Sequence, residues 1–461
     1  MAKHIKDDAN LYNKKALIDY LSEGCKPLNQ WRIGTEYEQF PFYSNTNQPV
    51  PYNGERGIST LLKEIKTIIG WEAIMEKENI IGLRHPNGET NISLEPGGQF
   101  EFSGSPLATI HQTYHEVHSY LAQIKKIANT LGISFLGIGS HPAWTLAETP
   151  IMPKSRYRIM SHYMKTVGTD GLNMMYRTST IQVNLDFSSE KDMRRKMQVA
   201  MKLQPIATAL FAASPFTEGK PNGFLSWRSE IWRHTDKQRT GILDFVFSPE
   251  FCFSDYVEWA LDIPMYFIIR NTHYYDARNI TFRQFMNGAL KEKIPNSHPR
   301  ISDWENHLST LFPEIRLKKF LEMRGSDSSP WQNSCALPAY WTGLLYDQES
   351  LRDVETLTKD WTYSEIQEIR NSVPTLALKT PFRKTTLFEF ARETIKIATK
   401  GLTNRHQLNK KGKDETLFLH FLEEITLSRR TLAEKMLQQY QNQWLNSINP
   451  LFLEDSSMRH L

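Results

Sequence analysis

Cysteine is scarce in this chain, with three residues in 461, at positions 25, 252 and 335. So few thiols, so far apart and odd in number, exclude a disulfide framework and a Cys-x-x-Cys metal site, leaving three reduced side chains. No uninterrupted apolar run approaches the roughly 20 residues that span a bilayer, so no membrane association is expected. Excess charge is also small: the formal net charge is +4, and the basic cluster Lys410, Lys411 and Lys413 is short and free of interleaved aromatics. Nucleic acid is therefore not expected as a partner. Internal repeats, low-complexity tracts and long Ser/Gly/Pro linkers are absent, which predicts one unit over residues 1–461, a monomer by default. The N-terminal MAKHIKDDANLYNKK mixes both signs of charge and has no apolar core, so a cytosolic location is expected. Neither GxxxxGK[ST] nor a GxGxxG between strand and helix occurs, which excludes a P-loop and a Rossmann turn.

What is present is a set of polar strand faces. In RTSTIQVNLDF, Arg177 to Phe187, Thr178, Thr180, Gln182, Asn184 and Asp186 share one parity while Ile181, Val183, Leu185 and Phe187 share the other. Successive strand side chains alternate between faces, so one face is polar without being charged in the manner of a solvated surface. Thr, Gln and Asn there suit the orientation of a ligand. In RIGTEYEQF, Glu36 and Glu38 are two apart and project from one side of a strand that Gly34 opens. In SLEPGGQFEF, Gln99 and Glu101 share a face opposite Phe100 and Phe102, and Glu95 precedes the Pro96-Gly97-Gly98 corner. Like charges this close repel unless a cation lies between them, and hard oxygen ligands suit Mg²⁺ or Mn²⁺ rather than zinc. Such an ion usually accompanies a polyphosphate, for which ATP is the economical choice. Positive charge is offered by Lys154, Arg156 and Arg158, by Arg177, by Arg228 and by Arg324.

Two other patterns read as structural. His111, His115 and His118 in HQTYHEVH recur at helical spacing without forming HExxH, and Cys335 in SCALPAYW has apolar neighbours and no visible activating base. Leu107 to Leu131 reads as a helix closed at Gly132, ISFLGIGS as a short strand, and Leu417 to Trp444 as a helix. Strands early and helices from about Trp304 onward predict an α+β fold with an antiparallel sheet.

EPGGQFEFSGSP (Glu95 to Pro106), the block from Pro153 to Glu190, QPIATALFAASPFTEGKPNGFLSWRSEIW (Gln204 to Trp232), ALDIPMYFIIR, FLEMRGSDSSPW and CALPAYWTGLLYD resemble the plant and proteobacterial type of glutamate-cysteine ligase, from about Trp31 nearly to the C-terminus. The resemblance implies a glutamine synthetase-like fold, an antiparallel sheet curved into a funnel and surrounded by helices, with metal ions on its inner face. It further implies ATP-dependent joining of the γ-carboxylate of L-glutamate to the amine of L-cysteine through a γ-glutamyl phosphate. Glu36, Glu38, Glu95 and Glu101 are then the expected metal ligands, with Glu36, Glu101 and Arg324 in the catalytic role. Lys154, Gln182 and Asn184 are expected toward the nucleotide, and Arg156, Tyr157, Arg177, Thr178, Arg228 and Trp331 toward the amino acids, Tyr157 and Trp331 as walls of the cysteine pocket. The four arginines are not ranked by the sequence. Plant members carry a cysteine after HQT that pairs with the one in CALPA; here that position is Tyr114, so the disulfide switch is expected to be absent. The alternatives are another amine acceptor, a non-catalytic glutamate-binding relative, and a glycosidase, which the Thr/Gln/Asn strand and the arginines fit poorly.

Overall fold

Ile33, Thr35 and Tyr37 are buried at alternate positions, and their parity builds the central strand β1 (Ile33–Tyr43) with one apolar face. The computed structural model describes residues 11, 13–294 and 297–454. Eight further strands complete the main sheet: β2 (Glu72–Glu76), β3 (Asn79–Arg84), β4 (Asn91–Leu94), β5 (Phe100–Ser103), β6 (Ile133–Leu136), β7 (Thr180–Leu185), β8 (Ile315–Leu317) and β9 (Leu321–Asp327). Their order is β8-β9-β7-β1-β5-β4-β3-β2, with β6 joined to the far half of β1. Every pairing in it is antiparallel. The expected α+β class with an antiparallel sheet is therefore the class observed. Residues 315–327, however, fall inside the part expected to be helical from about 304, so the helical run begins later, at Ala336. The cause is the same two-residue alternation, in Leu321-x-Met323, which was not read there.

Helices cover the apolar face. Ile110–Thr130 starts at a capping box in which Thr109 and Gln112 exchange side-chain and backbone bonds, and it lays Tyr120 on Phe102 with ring centroids 4.1 Å apart. Ala336–Leu345 is buried at all ten positions, as an all-round apolar helix must be. The single helix expected over Leu417 to Trp444 is divided into His420–Ser428 and Leu432–Asn442. Arg429 adopts a left-handed φ of 55°, and Thr431 with Glu434 opens a new capping box.

The entry of β1 and the exit of β7 are locked together. Asp186 accepts from the Arg32 N–H at 2.7 Å and from Lys26 Nζ at 2.7 Å, while its own N–H donates to Tyr346 Oη. Fully buried Lys196 donates to the Asp186 carbonyl, pairs with Asp192 at 3.0 Å and lies 3.3 Å from the centre of the Trp31 ring. Burial pulls this ammonium down to about 8. Breaking a buried ion pair from one side is costly because the other charge stays behind. Lys196→Met is accordingly expected to cost about 3 kcal/mol of stability, read as a lower urea midpoint; a change below about 1 kcal/mol would show that the lock is dispensable.

Candidate active site

The face of the sheet opposite the main core carries the chemistry. Glu36 stands opposite Gln182 of β7 on one side and Ser103 of β5 on the other, and Glu38 stands opposite Glu101. Glu322 of β9 stands opposite Asn184. Strand parity thus brings Glu36, Glu38, Glu101, Gln182, Asn184 and Glu322 together on one surface formed by four neighbouring strands. Gly34 has its role here: a Cβ on it would approach the Asn184 side chain at 3.2 Å, crowding the residue whose Nδ2 donates to Glu36 at 3.1 Å.

The corner between β4 and β5 delivers Glu95 to the same surface. Gly98 N–H donates to the Glu95 carbonyl, and Gly98 takes a φ of +86°, which favours glycine. At Gly97 a Cβ would stand 2.2 Å from the Tyr176 carbonyl oxygen. Gln99 pins the loop by donating to the carbonyls of Met175 and Thr178 at 3.2 and 2.8 Å and accepting from Gly97 N–H. Glu95 accepts from Tyr157 Oη at 3.0 Å, and its proximity raises the neighbouring Glu101 carboxyl.

These acids are strained electrostatically. Burial, then Glu322 and Glu101, raises Glu36 above the ordinary carboxylate value; burial, then Glu95 and Glu101, lifts Glu38 further. Glu101 is raised by burial and by Glu95. Their oxygens are turned toward local donors: Thr180 N–H to Glu38 at 2.9 Å, Ser93 and Ser103 hydroxyls to Glu101 at 3.1 and 2.6 Å.

Cations frame the acids. Glu322 is the exception to the upward trend: burial pushes it up, but Arg316, Lys318 and Arg324 outweigh that and hold it well below the usual range. Arg316 grips it bidentately at 2.6 and 2.9 Å, Lys318 stands 3.1 Å away, and Arg324 Nη1 bonds both it and Gln182 Oε1, the latter at 2.7 Å. A bulge between Met323 and Ser326 leaves the Arg324 carbonyl to accept from Arg228 Nη2 at 2.9 Å. Arg228 and Arg324 line a small open pocket together with Trp232 and Phe312. Lys154 donates to the Leu94 carbonyl at 2.6 Å beside the Tyr157 ring, and burial brings its ammonium down to about 8. Arg156 lies over the Tyr157 and Phe267 rings. The sequence reading missed Glu322, Arg316 and Lys318, although Glu322 and Arg324 in FLEMRGSD, like Arg316 and Lys318, show the same i,i+2 spacing as Glu36 and Glu38.

Three of the expected residues stand apart. Arg177 turns to Asn173 and Glu218 at 3.3 and 3.2 Å, away from the sheet carboxylates. Thr178 donates its hydroxyl to the Met174 carbonyl and so closes the preceding helix. Trp331 lies 5.5 Å from His118 on the helix that covers the apolar face, so it is no wall of a pocket on the polar one. That neighbourhood also holds the histidine pattern: His111 contacts the Gln407 carbonyl, and half-exposed Tyr114 packs on His118 and Phe418. Cys335 is a buried free thiol, pushed up to about 12 by burial.

Among the described residues no three His, Cys, Asp or Glu side chains already enclose a metal position. By donor chemistry the set nevertheless fits a divalent cation: four carboxyl groups on one face, three of them raised by burial and by one another, supply only hard oxygens. Among the described residues no helix is long and apolar enough to cross a membrane.

Comparison with known proteins places this arrangement. The model of glutamate-cysteine ligase family 2 matches residues 32–454. Over 441 residues, 96% of this chain, it is 52% identical to a chloroplastic glutamate–cysteine ligase of Nicotiana tabacum and 53% identical to one of Arabidopsis thaliana, spanning 82% of each. A rice relative, glutamate–cysteine ligase A of Oryza sativa subsp. indica, is 51% identical and spanned to 87%. Among solved structures, glutamate–cysteine ligase from Francisella tularensis in complex with AMP shares the fold, with a TM-score of 0.56 at 13% identity over 92% of this chain and 87% of that one. The cytosolic location expected from the N-terminal composition is corrected by these relatives, which are named chloroplastic and point to a plastid. Composition near one terminus does not report the address of a chain whose relatives are longer than the matched part. With the acids, amides and guanidiniums of four strands converging on one face, and with this coverage, the chain belongs to glutamate-cysteine ligase family 2.

Proposed function

We propose that the polar face of the sheet is where this enzyme uses ATP to join the γ-carboxylate of L-glutamate to the amine of L-cysteine, residues 1–461 acting as one catalytic unit. The single observation that supports the placement is the convergence of Glu36, Glu38, Glu101, Gln182, Asn184, Glu322 and Arg324 from four neighbouring strands, with Glu95 brought in by the Gly97-Gly98 corner.

A γ-carboxylate is a poor acylating agent at neutral pH. Phosphorylation converts it to an acyl phosphate, whose acyl carbon the cysteine amine attacks, with phosphate as the leaving group. The difficulty is the approach of two anionic oxygens, so fixed positive charge and positioning carry most of the catalysis. Arg228 and Arg324 sit side by side at the open pocket, and their planar forks suit the carboxylates of glutamate and the oxygens of phosphate. Lys318 and Arg316 hold Glu322 ionised beside Glu36. Gln182 fixes the Arg324 guanidinium and Asn184 fixes Glu36, both facing the nucleotide phosphates. Lys154 and Tyr157 close the Glu95 side, with Arg156 over the Tyr157 ring as the cation nearest the acceptor amino acid. Mg²⁺ or Mn²⁺ would be held by Glu36, Glu38, Glu95 and Glu101, with Glu322 adjoining. Bound there, it supplies the charge that neutralises phosphate and carboxylate together.

ADP release that requires both glutamate and cysteine and yields γ-glutamylcysteine is the expected assay result. Release independent of glutamate, or equal with every amino acid in place of cysteine, would contradict the assignment. Glu101→Gln is expected to lower turnover roughly 10²–10³-fold while the thermal midpoint holds or rises, because one of the mutually repelling acids is removed. Near-normal turnover at saturating Mg²⁺ would remove Glu101 from the site.

A pH effect follows from the raised acids. Glu36, Glu38 and Glu101 bind protons more tightly in the folded protein than at their ordinary 4.5, so the folded state holds more protons above that value. Stability in EDTA therefore falls as pH rises from about 4.5 toward neutrality. Glu322 acts oppositely, its contribution being present above the ordinary carboxylate range and lost only on acidification below it. Mg²⁺ is expected to raise the thermal midpoint more at about pH 8 than at about pH 5; equal increments at both would count against a cation among these glutamates.

A further inference from the structure

We propose that Asp327 is a positioning residue for glutamate binding, acting through two serine hydroxyls on the short helix that carries Arg228; this rests on the reading of Arg228 as a glutamate-binding residue. Asp327 ends β9, fully enclosed and in register with Thr180, the residue whose N–H holds Glu38. One carboxylate oxygen accepts from Ala213 N–H at 2.9 Å and from the Ser214 hydroxyl at 2.7 Å; the other accepts from the Ser226 hydroxyl at 2.8 Å.

A hydroxyl has one proton to give. A carboxylate can only accept, so both serines must donate to Asp327 and turn their lone pairs outward. Those lone pairs meet the first turn of the helix Trp227–Arg233: Ser214 Oγ accepts from the Arg228 N–H at 3.1 Å, and Ser226 Oγ, the N-cap, from the Ser229 N–H at 3.3 Å. The two serine segments are tied directly as well, with Ser214 N–H donating to the Leu225 carbonyl at 3.0 Å. Room to shift is lacking, since a Cβ on Gly139 would stand 2.3 Å from the Asp327 carboxyl carbon. Asp327 and Arg228 form no direct ion pair in this arrangement, yet each is the principal opposite charge on the other, with Glu38 next for Arg228. The Arg228 guanidinium is thus under the charge of both a structural anion, Asp327, and a site anion, Glu38. Its own Nη2 is fixed on the Arg324 carbonyl, and its Nε is buried without a protein partner among the described residues.

Asp327→Asn keeps the shape and removes both the charge and the acceptor-only character. Its amide must face one serine as a donor, which reverses that hydroxyl. The expected result is a KM for glutamate raised about tenfold, as for a group displaced by a fraction of an ångström, with the KM for ATP within about twofold and the thermal midpoint kept. Arg228→Lys is expected to raise the same KM, and the double variant to be no worse than Arg228→Lys alone, because both act through one guanidinium. Ser226→Ala, which keeps the Asp327 charge and removes one of the two hydroxyl links, should move the glutamate KM in the same direction, and it decides the matter if Asp327→Asn does not fold. If Arg228→Lys raises the glutamate KM while Asp327→Asn and Ser226→Ala do not, the positioning role is overturned and the reading of Arg228 stands. Equal rises in both KM values, or effects that multiply in the double variant, also overturn it. An unchanged glutamate KM in Arg228→Lys overturns both.

Discussion

Repulsion among buried carboxylates is the constraint around which the rest of this molecule is arranged. Placing Glu36, Glu38 and Glu101 on adjacent strands, with Glu95 at their edge, costs free energy that a sheet does not recover by itself. Three devices offset it: donors on every carboxylate, a screen of cations at β8 and β9, and a corner that brings Glu95 in only where Tyr157 can hold it. What remains uncompensated is the affinity of the surface for positive charge.

The two ends of that surface differ in sign. Toward β5 the acids dominate, and Glu95 and Glu101 both push Glu38 upward. Toward β9 the guanidiniums and Lys318 outnumber Glu322 and keep it ionised. A substrate pair that is anionic at one end and metal-bridged at the other suits such a gradient. The β9 bulge matters to it, because the Arg324 carbonyl that it frees is what Arg228 grips.

Much of this was legible from alternation alone. The Glu36/Glu38 pair, the Gln182/Asn184 face and the Glu101 strand were found by counting parity, and the structure puts them on one face because antiparallel register preserves parity across strands. The resemblance supplied the fold and the reaction. Glu322 was passed over because its strand lies where helices were expected, and Asp327 because its partners, Ser214 and Ser226, are about a hundred residues away. Arg177 and Trp331 show the converse: chemistry suited to a substrate, placed by the chain on Glu218 and on His118. Side-chain type identifies candidates, whereas long-range packing decides which of them meet.

The strand that carries Glu36 and Glu38 changes character halfway. Phe40 and Phe42, on the same side, enter a separate apolar cluster with Trp144, Trp444, Leu451 and Phe452, the Phe42 and Phe452 rings being 5.1 Å apart. The far half of β1 is thus covered by side chains from the sequence-distant 444–452 segment, so its apolar face is complete only once that long-range contact has formed. A variant lacking residues 444–452 would leave Phe40 and Phe42 without that part of their cover.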